Sequence, residues 1–319
     1  MATITNSQTT ATAVGVREDL TDRIHRVDVE DTPFKSRVGT ADATQPLHEW
    51  QTRLLGAVDD DNAKPEGNET SREPSTQNAR INNVCQISDK NATTSGTIEA
   101  SDLAGRNREM ALQMADRAIE LRKDCESISL GNQAFDNSGE IRRMRGFEAW
   151  IRTNSSRGEG GADPADPNTT PGTTATDGEP RPFTEELWLD NLQEIYEAGG
   201  EARFALMGPF AKRTASKFIG REQARQMIGE QRIQQATNMF ATDFGDIEMV
   251  PHRYLRSNGR TVYNIDPNYV KIAYLRRMAR FPLAKIGDAD TRVILSEYTL
   301  EMCNERAHGV VADLQTTAQ

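Results

Sequence analysis

The sequence has few cysteines, few aromatic residues and no long hydrophobic run. Its three cysteines, Cys85, Cys125 and Cys303, lack the spacing of a metal site and the even number of a disulfide framework. No stretch approaches the ~18 consecutive apolar residues that a membrane helix requires. Hydrophobic residues make up 36% of the 319 residues and aromatic residues 6%, which is little for a chain that buries a large core by itself. We therefore expect extended segments that other chains cover.

No secretory signal is recognisable at the start of the sequence. Residues 1–16 are rich in Ser, Thr and Ala, and they lack a charged start followed by an apolar run. This composition predicts a flexible arm. We expect a protein that is soluble and intracellular when it is made and that has no membrane partner.

The common motifs of catalysis are also missing. The sequence has no GxxxxGKS/T phosphate loop, no GxSxG and no HExxH, and its one glycine cluster, Gly158–Gly161, lies in a low-complexity segment. None of the four histidines has a second His or Cys at ligand spacing; they are His25, His48, His252 and His308. We therefore predict no catalytic, cofactor-binding or metal-binding residues. A hydrolase that uses His308 with Glu305 remains as an alternative of another class, although a structural His308 that closes a turn is favoured.

Acidic residues outnumber basic residues, 48 to 38, and the net charge is −10. This balance argues against a general nucleic-acid-binding protein, which needs a basic surface. Among the basic residues, 30 are Arg and only 8 are Lys. Two explanations stay open: a protein that is kept soluble in molar salt, where acidic repulsion is screened, and an ordinary acidic protein from a GC-rich genome.

Basic side chains cluster at two places in this acidic chain. The clusters are Arg142-Arg143-x-Arg145 and Arg276-Arg277-x-x-Arg280. They are predicted to pair with acidic patches on a neighbouring copy of the chain, and contact with DNA is the second interpretation. Glu297 and Glu301 share one face of a predicted strand and are expected to be solvated or paired.

The first structured part has the pattern of a long two-stranded arm. Residues 43–58 alternate as a strand does, with His48 and Trp50 on one face. Residues 59–79 are polar and contain two Pro and one Gly, which predicts a loop tip. Residues 80–100 return as the second strand. An isolated hairpin is marginally stable in water, so this arm needs a neighbour to lie on.

The strongest local pattern predicts a long helix with one buried side. Ser101 and Asp102 are good N-caps, Gly131 ends the run, and Leu103–Leu130 would be roughly 40 Å long at 1.5 Å per residue. Residues at alternating steps of three and four form one mostly apolar stripe: Leu103, Asn107, Met110, Met114, Ala118, Leu121, Cys125 and Ile128. Such a helix lies across a sheet or a globular body.

Residues 153–182 are of low complexity. Gly, Pro, Thr and Asp dominate, and no apolar residue in this segment is larger than Ala. This composition predicts a solvated surface insertion or linker. Its three Asp do not have the spacing of a calcium loop, so no ion is predicted here.

A second region of mixed helices and strands follows the insertion. Helices are predicted from Phe183 to Ala198 with Thr184 as the cap, after Gly208-Pro209 as far as Phe218, and from about Arg221. Strands are predicted at Arg203–Met207, 247–255, 261–265, 269–275 and 291–303.

Short motifs follow one another along the chain in a distinctive order. They are Asp31-Thr32-Pro33-Phe34, His48-Glu49-Trp50-Gln51, Asn62-Ala63 with Glu66-Gly67, Thr242-Asp243-Phe244-Gly245, Tyr274-Leu275-Arg276, Leu283-Ala284-Lys285-x-Gly287-Asp288, Glu297-Tyr298-Thr299-Leu300 and Asn304-Glu305-x-Ala307-His308-Gly309. Their order and spacing, from about residue 17 to 314, resemble those of the major capsid proteins of tailed double-stranded DNA viruses, which have the Hong Kong 97-type fold. The insertion at 153–182 departs from that pattern.

The resemblance implies an α+β protein with the parts of that fold. These parts are an N-terminal arm (1–42), an extended loop (43–100), a peripheral domain (101–199) with the spine helix at 101–131 and the insertion at 153–182, an axial domain (200–275) and a return to the peripheral domain (276–319). The resemblance also implies a shell subunit that assembles into pentamers and hexamers around double-stranded DNA. The extended loop would gain its order by lying over the spine helix of the next subunit.

Further partners and a location follow from the same resemblance. The shell would hold DNA non-specifically on its inner face and would meet portal, scaffold or decoration proteins, in a virion that is assembled in the host cytoplasm. The acidic composition keeps a haloarchaeal virus among the candidates. An encapsulin-like shell of a cellular compartment has the same fold and remains the alternative function.

Overall fold

The computed structural model describes residues 31–53, 55–56, 58–68, 77–103, 108–167, 170, 172–218, 239–256 and 259–317. Within them, helices and mixed sheets pack around two main hydrophobic cores, which agrees with the predicted α+β class. The flexible arm predicted at 1–16 and the helix predicted from about Arg221 lie outside the described residues.

The described part of the chain forms six α-helices and twelve strands. The helices are α1 (Pro33–Arg37), α2 (Gly96–Ala100), α3 (Glu109–Leu130), α4 (Phe147–Trp150), α5 (Glu185–Glu197) and α6 (Pro209–Phe218), with a 3-10 turn at Glu305–Ala307. The strands are β1 (Gly39–Asp42), β2 (Leu47–Thr52), β3 (Ala79–Val84), β4 (Gln86–Ser95), β5 (Ser155–Ser156), β6 (Phe204–Met207), β7 (Met239–Thr242), β8 (Gly245–Pro251), β9 (Val262–Ile265), β10 (Val270–Pro282), β11 (Ala289–Met302) and β12 (Gly309–Val311).

The first core lies between a four-stranded sheet and the long helix α3. The strand order is β1-β10-β11-β4, with β1 parallel to β10 and the other pairs antiparallel. The predicted apolar stripe of α3 is confirmed, because Met110, Met114, Ala118, Leu121 and Cys125 are all buried. They belong to the same hydrophobic cluster as the sheet residues beneath them. The apolar stripe of α3 is therefore already packed inside its own subunit.

The predicted start of this helix is wrong. α3 begins at Glu109 and has 22 residues, which corresponds to about 33 Å. The chain first makes the short helix α2, which Ser95 caps by accepting a hydrogen bond from the Ile98 amide at 3.4 Å. Ser101 ends α2 instead of capping α3. The capping residues near this point serve a separate turn of helix that the apolar stripe does not reveal.

The predicted second strand of the arm is divided between two sheets. β3 pairs with β2, whereas β4 leaves the hairpin and pairs with β11 over ten residues. The change of partner falls at Cys85, whose amide donates to the Pro46 carbonyl at 2.7 Å. Beside it, the buried side-chain amide of Asn83 donates to two backbone carbonyls of the body. The hairpin therefore consists of β2 and β3 alone.

The second core lies between a six-stranded sheet and the helices α5 and α6. The strand order is β5-β12-β9-β6-β8-β7. Thr184 caps α5 as predicted, by accepting a hydrogen bond from the Leu187 amide at 3.3 Å, and Gly199 follows the helix with a φ of +85°. Trp188 of α5 stacks on Phe240 of β7, with 4.7 Å between the ring centroids. The opposite face of this sheet contributes to the first core, so the two cores share one sheet.

Candidate assembly surfaces

The root of the β2–β3 hairpin is attached to the body of its own chain. Trp50 donates its indole N–H to the Met302 carbonyl at 2.8 Å, and its ring centroid lies 5.8 Å from that of Trp150. His48 Nε2 lies 3.1 Å from a carboxylate oxygen of Glu301, and this hydrogen bond lowers the pKa of Glu301. His48 and Trp50 share the inward face, as predicted. The expectation that only a neighbour orders the arm is therefore wrong for its root.

Beyond Thr52, the described residues of the arm are solvent-exposed. All described residues from 58 to 68 are exposed, as predicted for the polar loop tip. Leu55 and Val58 each keep 90% of their surface accessible, the highest values among the exposed large hydrophobic residues of the described chain. The acidic run Asp59–Asp61 follows them directly. Bare apolar side chains with polar neighbours are typical of a surface that a partner covers.

Within the described residues, α3 covers one face of the four-stranded sheet, and the opposite face is buried around Ala273 and Thr299 and open only toward its other end. Lys90 and Ile294 are opposite each other on the covered face, where Ile294 is buried and Lys90 pairs with Asp124 of α3 at 2.8 Å. Positions one residue away along each strand point to the opposite face. Five apolar residues there are exposed or half-buried and form what we call the open sheet face: Ile87, Phe281, Leu283, Val293 and Leu295.

The two arginine clusters meet at one carboxylate of their own chain. Glu297 is 3% exposed, and its two oxygens accept hydrogen bonds from Arg142 and Arg276, each at 2.7 Å. Arg277 also pairs within the chain, and Arg145 is buried. For Arg142, Arg276 and Arg277, pairs within the chain replace the predicted pairing with a neighbouring copy, whereas for Arg143 and Arg280 that pairing stays a prediction. Bulges on both sides of Arg276 in the β10–β11 pairing re-aim its side chain toward Glu297, which a strand pattern does not reveal.

A buried carboxylate on α3 holds the segment that precedes β1. Glu126 is 1% exposed and accepts hydrogen bonds from the amides of Phe34 at 2.6 Å and Lys35 at 2.9 Å, in the first turn of α1. It also lies 3.1 Å from His252 Nε2. Because His252 Nδ1 accepts from the Tyr254 amide, its Nε2 carries the hydrogen and donates to Glu126. One carboxylate thus joins α1, α3 and the segment after β8.

Sequence reasoning did not single out Glu126. An acidic side chain in the last turns of a helix opposes the helix dipole, and Glu126 stands next to Cys125 at the edge of the apolar stripe. A carboxylate beside a buried apolar stripe is unfavourable unless it has specific hydrogen-bond partners. This position was the feature of the sequence that could have identified Glu126.

The segment 153–182 is folded onto the body as a surface insertion, so of the two predicted alternatives the linker is wrong. β5, near its start, pairs with β12 at the edge of the six-stranded sheet. The Ala175 backbone exchanges hydrogen bonds with the side chain of Asn132, and the Gly158 amide donates to the buried Asp313 carboxylate at 3.0 Å. Backbone groups of the segment make these contacts, so a composition without large apolar residues does not reveal them.

A second buried carboxylate fastens the same segment. Glu148 is fully buried and accepts hydrogen bonds from Arg256 at 3.0 and 3.1 Å, from Arg157 at 3.4 Å and from the Tyr263 hydroxyl at 3.0 Å. Each arginine also forms an ion pair with a carboxylate of the segment: Arg157 with Asp163 and Arg256 with Asp177. The hydrogen bond from Arg256 lowers the pKa of Asp177. Charged pairs therefore replace the apolar packing that this segment lacks.

The structure separates the two residues of the hydrolase alternative. His308 is fully buried, and its Nδ1 accepts a hydrogen bond from the Asp266 amide at 3.2 Å. Glu305 instead contacts Thr153 and Arg152 through its carboxylate. Burial lowers the pKa of His308 to about 3, so the imidazole stays neutral at physiological pH. These contacts make His308 a structural residue at the turn before β12.

Acidification is expected to destabilise the subunit through His308. The folded-state pKa of about 3 lies below the ordinary value of 6.5, so the unfolded chain binds the extra proton as the pH falls through 6.5. The linked loss in the free energy of unfolding is about 2 kcal/mol between pH 7 and pH 5. Urea unfolding of unassembled subunits at both pH values measures it. His308→Asn keeps an acceptor and should show a much smaller loss; an equal loss in both proteins would assign the effect to other groups.

The described residues contain no group of three or more His, Cys, Asp or Glu that is placed to hold a metal ion. None of the described helices is long and apolar enough to cross a bilayer. All three cysteines are free thiols, and burial raises the pKa of Cys85 and of Cys303 to about 11. The exposed arm and the open sheet face carry apolar side chains that the described residues leave accessible to solvent.

Comparison of the sequence with known proteins identifies a family and a relative. The family model described as SU10 major capsid protein matches residues 3–315. A major capsid protein of Escherichia phage Phieco32 is 26% identical over 321 aligned residues, which cover 88% of this chain and 90% of that protein.

Two solved shells have a similar fold at low sequence identity. The capsid protein of a native GTA particle aligns with a TM-score of 0.62 and 10% identity, over 96% of this chain and 98% of that chain. The encapsulin of the holo-SrpI complex from Synechococcus elongatus PCC 7942 aligns with a TM-score of 0.55 and 9% identity, over 91% of both chains. Both comparisons bear on the fold alone.

Proposed function

Because the chain belongs to the SU10 major capsid protein family, we propose that it forms the pentamers and hexamers of a tailed-phage head. It is a structural capsid protein with the Hong Kong 97-type fold, and its copies assemble into an icosahedral shell. One subunit that occupies both five-fold and six-fold positions must repeat similar contacts at different angles. An arm that is anchored at its root and free beyond it meets this requirement.

The exposed arm is the observation that carries this proposal. Its root is held by Trp50 and His48, while Leu55 and Val58 are 90% exposed beyond the end of β2. Exposed apolar side chains do not stabilise a monomer. When a partner covers them, their burial contributes about 1.5–3 kcal/mol each. The arm therefore serves contacts between copies.

The proposed division of the fold differs from the sequence expectation at three places. The extended loop ends near Cys85 instead of residue 100, because β4 belongs to the sheet under α3. The axial domain is built on the six-stranded sheet, and it takes in α5 and β12, which pack in the second core or pair within that sheet. The peripheral domain keeps the four-stranded sheet and α3.

We further propose that the shell encloses double-stranded DNA without base-specific contacts. The net charge of −10 and the engagement of Arg142, Arg276 and Arg277 with carboxylates of their own chain favour weak contact with phosphates. Portal, scaffold or decoration proteins, and assembly in the host cytoplasm, belong to the same proposal.

The alternative function, an encapsulin-like compartment shell, has the same fold, so the fold does not distinguish it from a virus head. The structural likeness to an encapsulin is at 9% identity and does not separate the two functions. The family match over residues 3–315 and the phage relative favour a virus head. Copurified DNA or cargo protein in native particles distinguishes them directly.

Deletion of the free part of the arm tests the proposed role. The purified chain is expected to form capsomers or closed particles, seen by light scattering and negative-stain microscopy. Replacing residues 55–77 with a short Gly-Ser linker should abolish closed particles, because this change removes the apolar surface offered to a neighbour. The thermal unfolding of the subunit should change little, since the described residues from 58 to 68 are exposed. Wild-type-like particles from the deletion variant would contradict the proposal.

A further inference from the structure

The solvent-facing side of α5 is acidic along its whole length. Glu186, Asp190, Glu194 and Glu197 are exposed and follow one another at steps of four, four and three residues, which places them along one side of the helix. α5 has five carboxylates and no basic residue. None of these carboxylates forms an ion pair within the part of the chain that the structure describes. We call the four exposed residues the acidic side of α5.

The solvent-facing side of α6 has the opposite charge. Lys212, Arg213 and Lys217 are the only charged residues of this helix. Arg213 and Lys217 are exposed and one turn apart, and neither forms an ion pair with another described residue. The guanidinium carbon of Arg213 lies 5.2 Å from the centroid of the Phe210 ring, and this contact holds the guanidinium in place. We call Arg213 and Lys217 the basic side of α6.

Both helices carry charges that oppose their own dipoles. The C-terminal end of a helix is partially negative, and the N-terminal end is partially positive. Glu194 and Glu197 lie in the last turn of α5, which has no basic residue, whereas Lys212 and Arg213 lie at the end of the first turn of α6, which has no acidic residue. Partial burial raises the pKa of Glu194, and the charges of Asp190 and Glu197 raise it further. The charges at each of these helix ends are therefore unfavourable in an isolated subunit, and contact between the two ends would compensate both.

An open groove beside the start of α6 has room for a side chain of another molecule. The groove has a volume of about 500 Å³ and is lined by Pro209, Phe210, Arg213, Thr316 and Thr317. Two hydroxyl groups and one guanidinium in this lining can donate hydrogen bonds, and no carboxylate is among the described residues that line it. A groove with such donors suits a carboxylate side chain.

The spacing of the charges on the two helices matches. Asp190 and Glu194 are four residues apart on α5, and Arg213 and Lys217 are four residues apart on α6, so each pair spans about 6 Å along its helix axis. When the two helices lie antiparallel, Glu194 faces Arg213 and Asp190 faces Lys217 in one register. The same orientation places the C-terminal end of α5 beside the N-terminal end of α6, where opposite partial charges meet.

We propose that the acidic side of α5 in one copy docks antiparallel on the basic side of α6 in an adjacent copy, with Glu194 in the groove beside Arg213 and with Asp190 beside Lys217. This inference rests on the proposed assembly of the chain into a shell. Both surfaces belong to the same chain, whose copies assemble, so a second copy is the partner that supplies the complementary charge. The contact joins different surfaces of the two copies, and repeated around an axis it closes a ring.

Paired cysteine substitutions test whether these two helices meet between copies. Gln193 and Ser216 are uncharged and lie next to the proposed ion pairs along their helices. Gln193→Cys with Ser216→Cys should give a ladder of covalent dimers and larger species when assembled particles are treated with a flexible bismaleimide. Gln193→Cys with Ala111→Cys, an exposed position on α3, is the matched control and should stay at monomer mass. The wild-type chain, with its three native Cys, gives the background.

Each outcome of this experiment is informative. A ladder from the Ala111→Cys pair, or from neither pair in intact particles, would overturn the docking surface but not the capsid function. A crosslink confined to single chains would place the contact inside one subunit, and a crosslink that stops at dimers would indicate a two-fold contact; either result would overturn the proposed ring. Absence of particles from the wild-type chain would instead count against the proposed function, on which this contact rests.

Charge reversal provides an independent check. Asp190→Lys with Glu194→Lys on α5, or Arg213→Glu with Lys217→Glu on α6, should each lower the yield of particles about tenfold at low salt, where such charges are least screened. Combining the two pairs should restore most of the yield, because opposite charges face each other again.

A matched control separates this contact from the effect of net charge. Glu159→Lys with Glu179→Lys, at exposed positions of the segment 153–182, changes the net charge as much as the α5 variant does and should assemble like the wild-type chain. Thermal unfolding of the unassembled subunits shows whether each variant is folded. Failure of the combined variant to restore assembly, with both parent variants defective and folded, would contradict direct contact. An equal loss of particles from the Glu159 and Glu179 variant would assign the effect to net charge and overturn the proposal.

Discussion

Glu126→Ala is expected to lower the free energy of unfolding by roughly 3–5 kcal/mol, because it removes the acceptor from a buried hydrogen-bonded pair. The amides of Phe34 and Lys35 and the Nε2–H of His252 would all lose their partner. Buried donors without partners cost about 1–3 kcal/mol each. Urea unfolding of the unassembled subunit measures the loss.

The same helix offers a matched control for this variant. Glu120 also carries a carboxylate, but its side chain is 41% exposed and it pairs with Arg117 at 2.6 Å. Glu120→Ala should cost less than about 1 kcal/mol, as exposed ion pairs do. Glu126→Gln keeps one acceptor oxygen and should fall between the two alanine variants. Equal losses for the Glu126 and Glu120 variants would show that the buried carboxylate does not hold the segment before β1.

Glu148→Ala is expected to have an effect of similar size, roughly 3–5 kcal/mol, because it leaves buried cationic groups without their shared acceptor. Arg157 would keep only Asp163, and Arg256 would keep only Asp177, at the more exposed end of each pair. The Tyr263 hydroxyl would also lose its acceptor in a fully buried site. We expect the segment 153–182 to detach before the rest of the subunit unfolds.

Limited proteolysis separates this local effect from global destabilisation. Trypsin should cleave the Glu148→Ala protein within 153–182 under conditions in which the wild-type chain is resistant. Glu179→Ala, an exposed residue of the same segment, should leave the cleavage pattern unchanged. If cleavage in the Glu148 variant is spread evenly along the chain, the carboxylate stabilises the whole fold and does not fasten the insertion.

Local sequence patterns were sufficient to predict a helix or strand that buries one of its faces. The three- and four-residue steps identified the buried stripe of α3, and the cap at Thr184 located the start of α5. The alternation of β2 correctly placed His48 and Trp50 on the inward face. These features depend on contacts that repeat with the period of the element, and such periods are visible in the sequence.

Long-range polar contacts escaped the same reasoning. Neither the meeting of Arg142 and Arg276 at Glu297 nor the pairing of Ala175 with Asn132 has a period along the chain. Each depends on which distant segments the fold brings together, and a bulge of one residue is enough to redirect a side chain. From the sequence alone, a polar residue is predicted to be exposed, because the partner with which it is buried lies many residues away.

By itself, the sequence determined the class of the protein through the resemblance of its ordered motifs to a known family. Local periodicity and composition determined the apolar stripe of the long helix and the exposed polar tip of an arm. Only the tertiary structure decided that β4 leaves the hairpin for the main sheet, that residues 153–182 fold onto the body, and that the apolar stripe of α3 is already occupied. The physical reason is that partner choice between strands and between buried charges depends on three-dimensional proximity, which no local pattern encodes.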